Sequence, residues 1–236
     1  MAKIVPTVNL VVPLDPLTAQ GSQGARGEAW AFVKQELNNW PFIEGVYPAN
    51  PWIKALAVDA AMARCAAEVV VVHDADVLVP DEALQLAVAG LDHARWAIPH
   101  GEVWRYDEPT SRALYEGRPL AEPTLARWPY RGVPGGGIVV MRREDYEDCP
   151  LDPGFLGWGA EDQSWGWALE ARFGEPWRGD APLVHLWHPQ VVLTGGIAEH
   201  FSSELLRRNY RYARRNAAHL DALLDRARAA TRAARG

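Results

Sequence analysis

The chain has 236 residues, 48% of them hydrophobic and 23% charged, which is enough for one well-buried domain and too few for two of ordinary size. Its 20 glycines and 18 prolines are scattered without a period, which excludes collagen-like and low-complexity chains. With 24 basic against 30 acidic residues the net charge is −6, so bulk charge does not make it a nucleic-acid binder, and any anionic partner must be met locally.

The first residues carry no basic segment, long apolar run and small-residue cleavage site in series, and no apolar run approaches membrane-spanning length. With only Cys65 and Cys149, a disulfide framework is not expected and a reducing compartment fits. The expectation is a cytoplasmic protein with no stable membrane insertion.

Val8 to Val12 is a short apolar, β-branched run closed by Pro13 and Asp15, which predicts a buried first strand. After a Gly, Ser and Gln-rich loop, Trp30, Val33 and Leu37 recur at helical spacing from Arg26 onward. A second helical segment carrying Ile53, Leu56, Ala60 and Ala63 leads into the unbroken strand Val69 to Val72. Further on, Asp81 to Leu91 predicts a helix and Trp96 to Pro99 a strand, while Glu102 to Pro129 has no clear period. The glycines Gly135 to Gly137 open the apolar run Ile138 to Met141, Glu161 to Ala171 predicts a helix, and Ser203 to Arg235 a single long terminal helix. Fully apolar strands alternating with helices predict an α/β domain with a mostly parallel sheet covered on both faces. In such sheets ligands lie beyond the strand C-termini.

Three constellations carry chemistry. Asp74-Ala75-Asp76 follows the strand Val69 to Val72; residues two apart in extended backbone face the same side, and paired carboxylates suit Mg²⁺ or Mn²⁺. A D-x-D triplet alone more often marks a solvated turn, and it is the buried strand before it that makes it a candidate. Gly154 to Gly159 precede a helix opening with Glu161 and Asp162. Acids there are ordinary helix-start chemistry, but the glycines and Trp158 packed before them suggest a carboxylate placed to take a proton from a hydroxyl. His185 and His188 converge if the chain turns between them, and neutral imidazole suits Mn²⁺ better than Mg²⁺.

Taken in order, Asp74-Ala75-Asp76, Gly135-Gly136-Gly137, Gly157-Trp158-Gly159-Ala160-Glu161-Asp162 and His185-Leu186-Trp187-His188 resemble the motifs of the GT-A glycosyltransferases. The nearest likeness is to the catalytic domain shared by β-1,4-galactosyltransferases and polypeptide N-acetylgalactosaminyltransferases, over about residues 8 to 190. The resemblance implies a GT-A domain over residues 1–202 and a manganese (or magnesium) dependent enzyme that moves a sugar from a UDP-sugar to a glycan, protein or other hydroxyl acceptor. Asp76 and His188, with His185, would hold the metal. Asp74 and Asp15 would meet the nucleotide, and Lys54 would stand near it. Asp162 would be the general base and Glu161 would hold sugar hydroxyls, with Trp158, Gly136 and Gly137 lining the donor and acceptor pocket. Asp162 stands where the retaining polypeptide transferases have an amide, which favours inversion. Asp59 stands where the family has Asn and Ala160 where it has a second Gly, which leaves the sugar open.

A catalytically silent nucleotide-sugar-binding domain and a nucleotidyltransferase are the alternatives; the first would be expected to have lost one of the acids or histidines, and the second lacks its phosphate loop after the first strand. Residues 203–236 carry nine arginines against three acids, a segregation that reads first as a solvated helix face and otherwise as a site for an acidic acceptor, a membrane surface or nucleic acid.

Overall fold

The computed structural model describes residues 6–16, 24–118, 122–157, 159–189 and 197–235. In chain order they form β1 (Val8–Leu14), α1 (Ala25–Glu36), β2 (Phe42–Val46), α2 (Lys54–Met62), β3 (Val69–His73), β4 (Val77–Leu78), α3 (Asp81–Gly90) and β5 (Trp96–Arg105). There follow α4 (Glu108–Tyr115), β6 (Ile138–Arg142), α5 (Arg143–Asp148), α6 (Glu161–Phe173), β7 (Trp177–His185), α7 (Ile197–Ala213) and α8 (Ala217–Ala234).

The strands make one sheet in the order β2-β1-β3-β6-β5-β7-β4. Strand β1 is parallel to β2 and β3, and β5 is parallel to β7, but β6 runs antiparallel between β3 and β5 and β4 antiparallel at the edge. The sheet is therefore mixed, not mostly parallel. Hydrophobic runs report burial on both faces and not direction: Ile138–Arg142 is as apolar as a parallel core strand because helices cover it on both sides.

Alternate residues of the same strands feed two cores. Val70, Val72, Val139 and Met141 pack with Val58 of α2, Trp165 of α6, Tyr210 of α7 and Leu224 of α8. Val69, Val71, Ile138 and Val140 pack with Trp30 of α1 and Leu84 of α3. Coverage of both faces is as the sequence predicts.

The single terminal helix expected over Ser203 to Arg235 is two helices. The break falls at Arg214–Asn216, where the Asn216 side chain accepts the His219 N–H at 3.1 Å and caps α8. Four of the nine arginines here are paired with the body of the domain: Arg214 with Glu170, Arg226 with Asp152, Arg228 with Asp148 and Arg235 with Asp59. Buried Asp59 is thus tied to the half-exposed Arg235 at the end of α8.

Strand directions set where chemistry gathers. Because β6 is antiparallel to β3, its first residue Ile138 pairs with His73, the last residue of β3. Because β7 is parallel to β5, His185 pairs with Arg105. The C-terminal ends of β1, β3, β5 and β7 and the start of β6 meet at one edge of the sheet.

Candidate active site

That edge holds a cavity of about 520 Å³. Asp15, Lys54, Asp74, Asp76, Gly136, Gly137, Glu161, Asp162, His185 and His188 all line it, so every candidate residue that the structure describes is brought to one place. Trp158 lies outside the described residues.

On one wall, donor atoms of Asp76, His185 and His188 all lie within 4.8 Å of one another. His188 Nε2 is 3.2 Å from an Asp76 carboxylate oxygen, and the two imidazoles are 5.3 Å apart between ring centroids. Each ring directs Nδ1 to a backbone carbonyl, that of Leu186 at 2.8 Å and that of Pro189 at 2.9 Å, which leaves the Nε2 atoms as acceptors. Burial, opposed by Asp76 and assisted by Arg105 and His188, holds the His185 imidazole below its ordinary pKa and so neutral. Burial works against the Asp76 carboxylate, yet His185, His188 and Arg26 overcome it and keep the group well below the usual carboxylate range. Two imidazoles and one carboxylate are a donor set that fits Mn²⁺, and Mg²⁺ less well.

The opposite wall is built by glycines. Gly159 (φ 116°) and Ala160 (φ 68°) turn the chain into α6. For alanine that left-handed conformation costs about 1–2 kcal/mol. The turn lets the Gly159 N–H donate to the Glu161 carboxylate at 2.8 Å and presents Asp162 to the cavity.

Gly135 lies against the backbone of α6, and a Cβ there would meet the Asp162 carbonyl oxygen at 2.1 Å and the Gly166 nitrogen at 2.8 Å. Replacing Gly135 with alanine must push α6 away from the loop before β6, at a cost of about 1–3 kcal/mol. A fall in the denaturant midpoint with unchanged slope would register it, and an unchanged midpoint would mean that the approach is relaxed without loss.

Lys54 joins the walls from below. Only 5% exposed, its Nζ lies 2.6 Å from Asp74 Oδ1 and 2.8 Å from Asp162 Oδ1. Burial disfavours the ammonium, but Asp162, Asp74 and Glu161 more than compensate and raise its pKa far above normal. Asp74 is further tied to β6: its N–H donates to the Gly137 carbonyl at 2.9 Å and its carboxylate accepts the Gly137 N–H at 3.2 Å. Burial, with Lys54 opposing and Glu161 and Asp74 nearby, pushes the Asp162 carboxyl up to about 7. Burial also raises Glu161, against the pull of Lys54.

Arg26, Arg105, Arg127 and Tyr130 also line the cavity. Arg105 Nε donates to the Tyr130 hydroxyl at 2.9 Å, and the Arg127 guanidinium sits 3.7 Å from the Tyr130 ring centre. None of the C-terminal arginines lines this cavity; its arginines come instead from the start of α1, the end of β5 and the loop after α4.

A mixed sheet with this edge, a D-x-D turn after its third strand and a histidine cluster after its last is the GT-A fold. GalNAc-T7, solved with UDP, GalNAc and Mn²⁺, is 14% identical with a TM-score of 0.51, the match covering 89% of this chain and 51% of that one. The catalytic domain of Drosophila β1,4-galactosyltransferase 7, solved with xylobiose, is 15% identical over 86% of this chain and 80% of that one, with a TM-score of 0.46. Glucosyl-3-phosphoglycerate synthase of Mycobacterium tuberculosis is 13% identical over 89% and 80%, with a TM-score of 0.44. No family model and no curated protein matches the chain.

Proposed function

We propose that the protein is a metal-dependent, inverting glycosyltransferase that moves a sugar from a nucleotide-sugar, of the UDP-sugar class, to an acceptor hydroxyl on a glycan, a protein or another molecule. The observation that carries this reading is the meeting, in one cavity, of the Asp76, His185 and His188 cluster with a carboxyl, Asp162, whose proton affinity is tuned to about 7. The GT-A fold and the UDP and Mn²⁺ bound by GalNAc-T7 support it.

A Mn²⁺ or Mg²⁺ held by Asp76, His185 and His188 would supply Lewis-acid stabilisation to the departing diphosphate. The chain's own residues do the rest. Asp162 accepts the proton of the acceptor hydroxyl while the acceptor oxygen bonds to the anomeric carbon and the carbon–phosphate-oxygen bond breaks on the other face, which inverts the configuration. Glu161, fixed by the Gly159 N–H, holds sugar hydroxyls, and Asp15 and Asp74 meet the nucleotide. Lys54 keeps Asp74 and Asp162 in register across the floor and adds positive charge near the diphosphate. Gly136, where a Cβ would come within 3.2 Å of the Asp162 carboxylate, and Gly137 leave room for the acceptor.

The test is thermal stability against a panel of nucleotide-sugars with and without Mn²⁺. A donor at 100 times its Kd adds about 2.7 kcal/mol of stability. The expected result is a Mn²⁺-dependent rise in Tm with one UDP-sugar, and a rise in Asp76→Asn that no longer depends on Mn²⁺. Absence of a Mn²⁺-dependent rise with every donor overturns the reading, and binding without any transferred sugar in product analysis reduces the protein to a binding domain.

A further inference from the structure

Helix α7 is apolar on two faces. Residues in an α-helix step about 100°, so Leu206, Tyr210 and Ala213 share the face turned into the core, each buried to 6% exposure or less. Phe201, Leu205 and Tyr212 share a second stripe, roughly 130° away from the first, and are 66%, 52% and 62% exposed. They are three of the seven large hydrophobic side chains exposed among the described residues, and no other described helix carries more than one of them. A helix with one apolar face buried needs no second one unless something covers it.

Beside that stripe the α7–α8 junction forms an open hollow of about 580 Å³ lined by Arg208, Arg211, Tyr212, Arg214, Arg215 and Asn216. Arg208 is paired with Glu204 and Arg214 with Glu170, while Arg211 and Arg215 have no carboxylate within 4.0 Å among the described residues. The surplus positive charge stands on a chain whose net charge is −6.

We infer that this face of α7 docks on an anionic lipid surface, with the Phe201, Leu205 and Tyr212 stripe entering the headgroup boundary and the arginine hollow receiving lipid phosphates. Charge selects this occupant. A second copy joined symmetrically through the same face would bring two arginine clusters together. A nucleic-acid backbone would satisfy the arginines and leave the apolar stripe in water. No helix among the described residues is long and apolar enough to cross a membrane, so the contact is peripheral. The other side of α7 is tied to the body of the domain: Ser203 Oγ accepts the Leu156 N–H at 3.3 Å, and Arg207 reaches Gln163 of α6 at 3.4 Å. The surface stands independently of the proposed glycosyl transfer.

Co-sedimentation of the full chain with vesicles tests it. The expected result is binding to vesicles of phosphatidylglycerol and phosphatidylcholine in equal parts, little binding to phosphatidylcholine alone, and weakening as salt rises. The double variants Phe201→Ser/Leu205→Ser and Arg211→Glu/Arg215→Glu change exposed side chains only and keep the wild-type circular dichroism. Each should lower the partition coefficient at least tenfold. Failure of the wild-type chain to sediment with the mixed vesicles, or sedimentation that either variant leaves intact, overturns the inference. So does binding to double-stranded DNA that the arginine variant loses and the Phe201→Ser/Leu205→Ser variant retains, together with unchanged vesicle binding.

Discussion

Replacing Asp162 with asparagine should lower the rate of sugar transfer at least a hundredfold while donor binding in the presence of Mn²⁺ is kept, since general-base contributions run to about 10²–10⁴-fold. The same substitution reports on pH. A carboxyl raised to about 7 in the folded protein binds a proton more tightly folded than unfolded, so its contribution to stability is present at low pH and is lost as pH rises from the ordinary carboxylate range toward about 7. Asparagine cannot ionise. The Tm of the wild-type chain should therefore fall relative to Asp162→Asn between about pH 4 and pH 7, while wild-type kcat/KM should climb through an acid limb near pH 7 that the variant lacks. A variant with wild-type turnover would remove Asp162 from the base role. A parallel pair of Tm curves would mean that its environment does not raise its proton affinity.

Lys54→Met is expected to be the most destabilising single change in the site. It removes the cation that Asp74 and Asp162 share at 2.6 and 2.8 Å and leaves two partly buried carboxylates beside buried Glu161. Breaking a buried ion pair from one side costs about 3–5 kcal/mol, which in a chain of this size corresponds to a fall in Tm of roughly 10 °C. The loss should shrink at acid pH, where Asp162 takes up its proton, and in the double variant with Asp162→Asn, because one of the stranded charges is then gone. Calorimetry of the two single variants and the double variant closes the cycle. Additive losses would show that Lys54 acts through packing alone.

How far the sequence reaches can be seen element by element. Val69–Val72 and Ile138–Met141 are legible because helices cover both faces of their strands, but their opposite directions leave no trace in composition. Strand β2 escapes because only Gly45 of Phe42–Val46 is buried, which gives it neither an apolar run nor an alternation. Helix α4 lies in the stretch without a period, yet it begins on a readable cap: the Asp107 carboxylate accepts the Thr110 N–H at 2.9 Å, with Pro109 in the first turn. The break between α7 and α8 was signalled in the same way by Asn216. Within the site, Asp76, His188 and Asp162 could be found because short motifs place them at the ends of strands or at a helix start. The lysine was found too, but its partners are 20 and 108 residues away, and no local pattern marks a contact of that length.

The pairing of β3 with β6 has a consequence for how the chain must be made. One side of β3 is satisfied early by β1, but its other side, which presents four consecutive valines, waits for Ile138–Arg142. During synthesis, and in any fragment that ends before Ile138, Val69 to Val72 is an open edge with strong strand propensity and no charge to blunt it. Such edges recruit neighbouring chains. Truncations placed between β5 and β6 should therefore collect in insoluble material, and a nascent chain of that length is where a holdase chaperone would be needed.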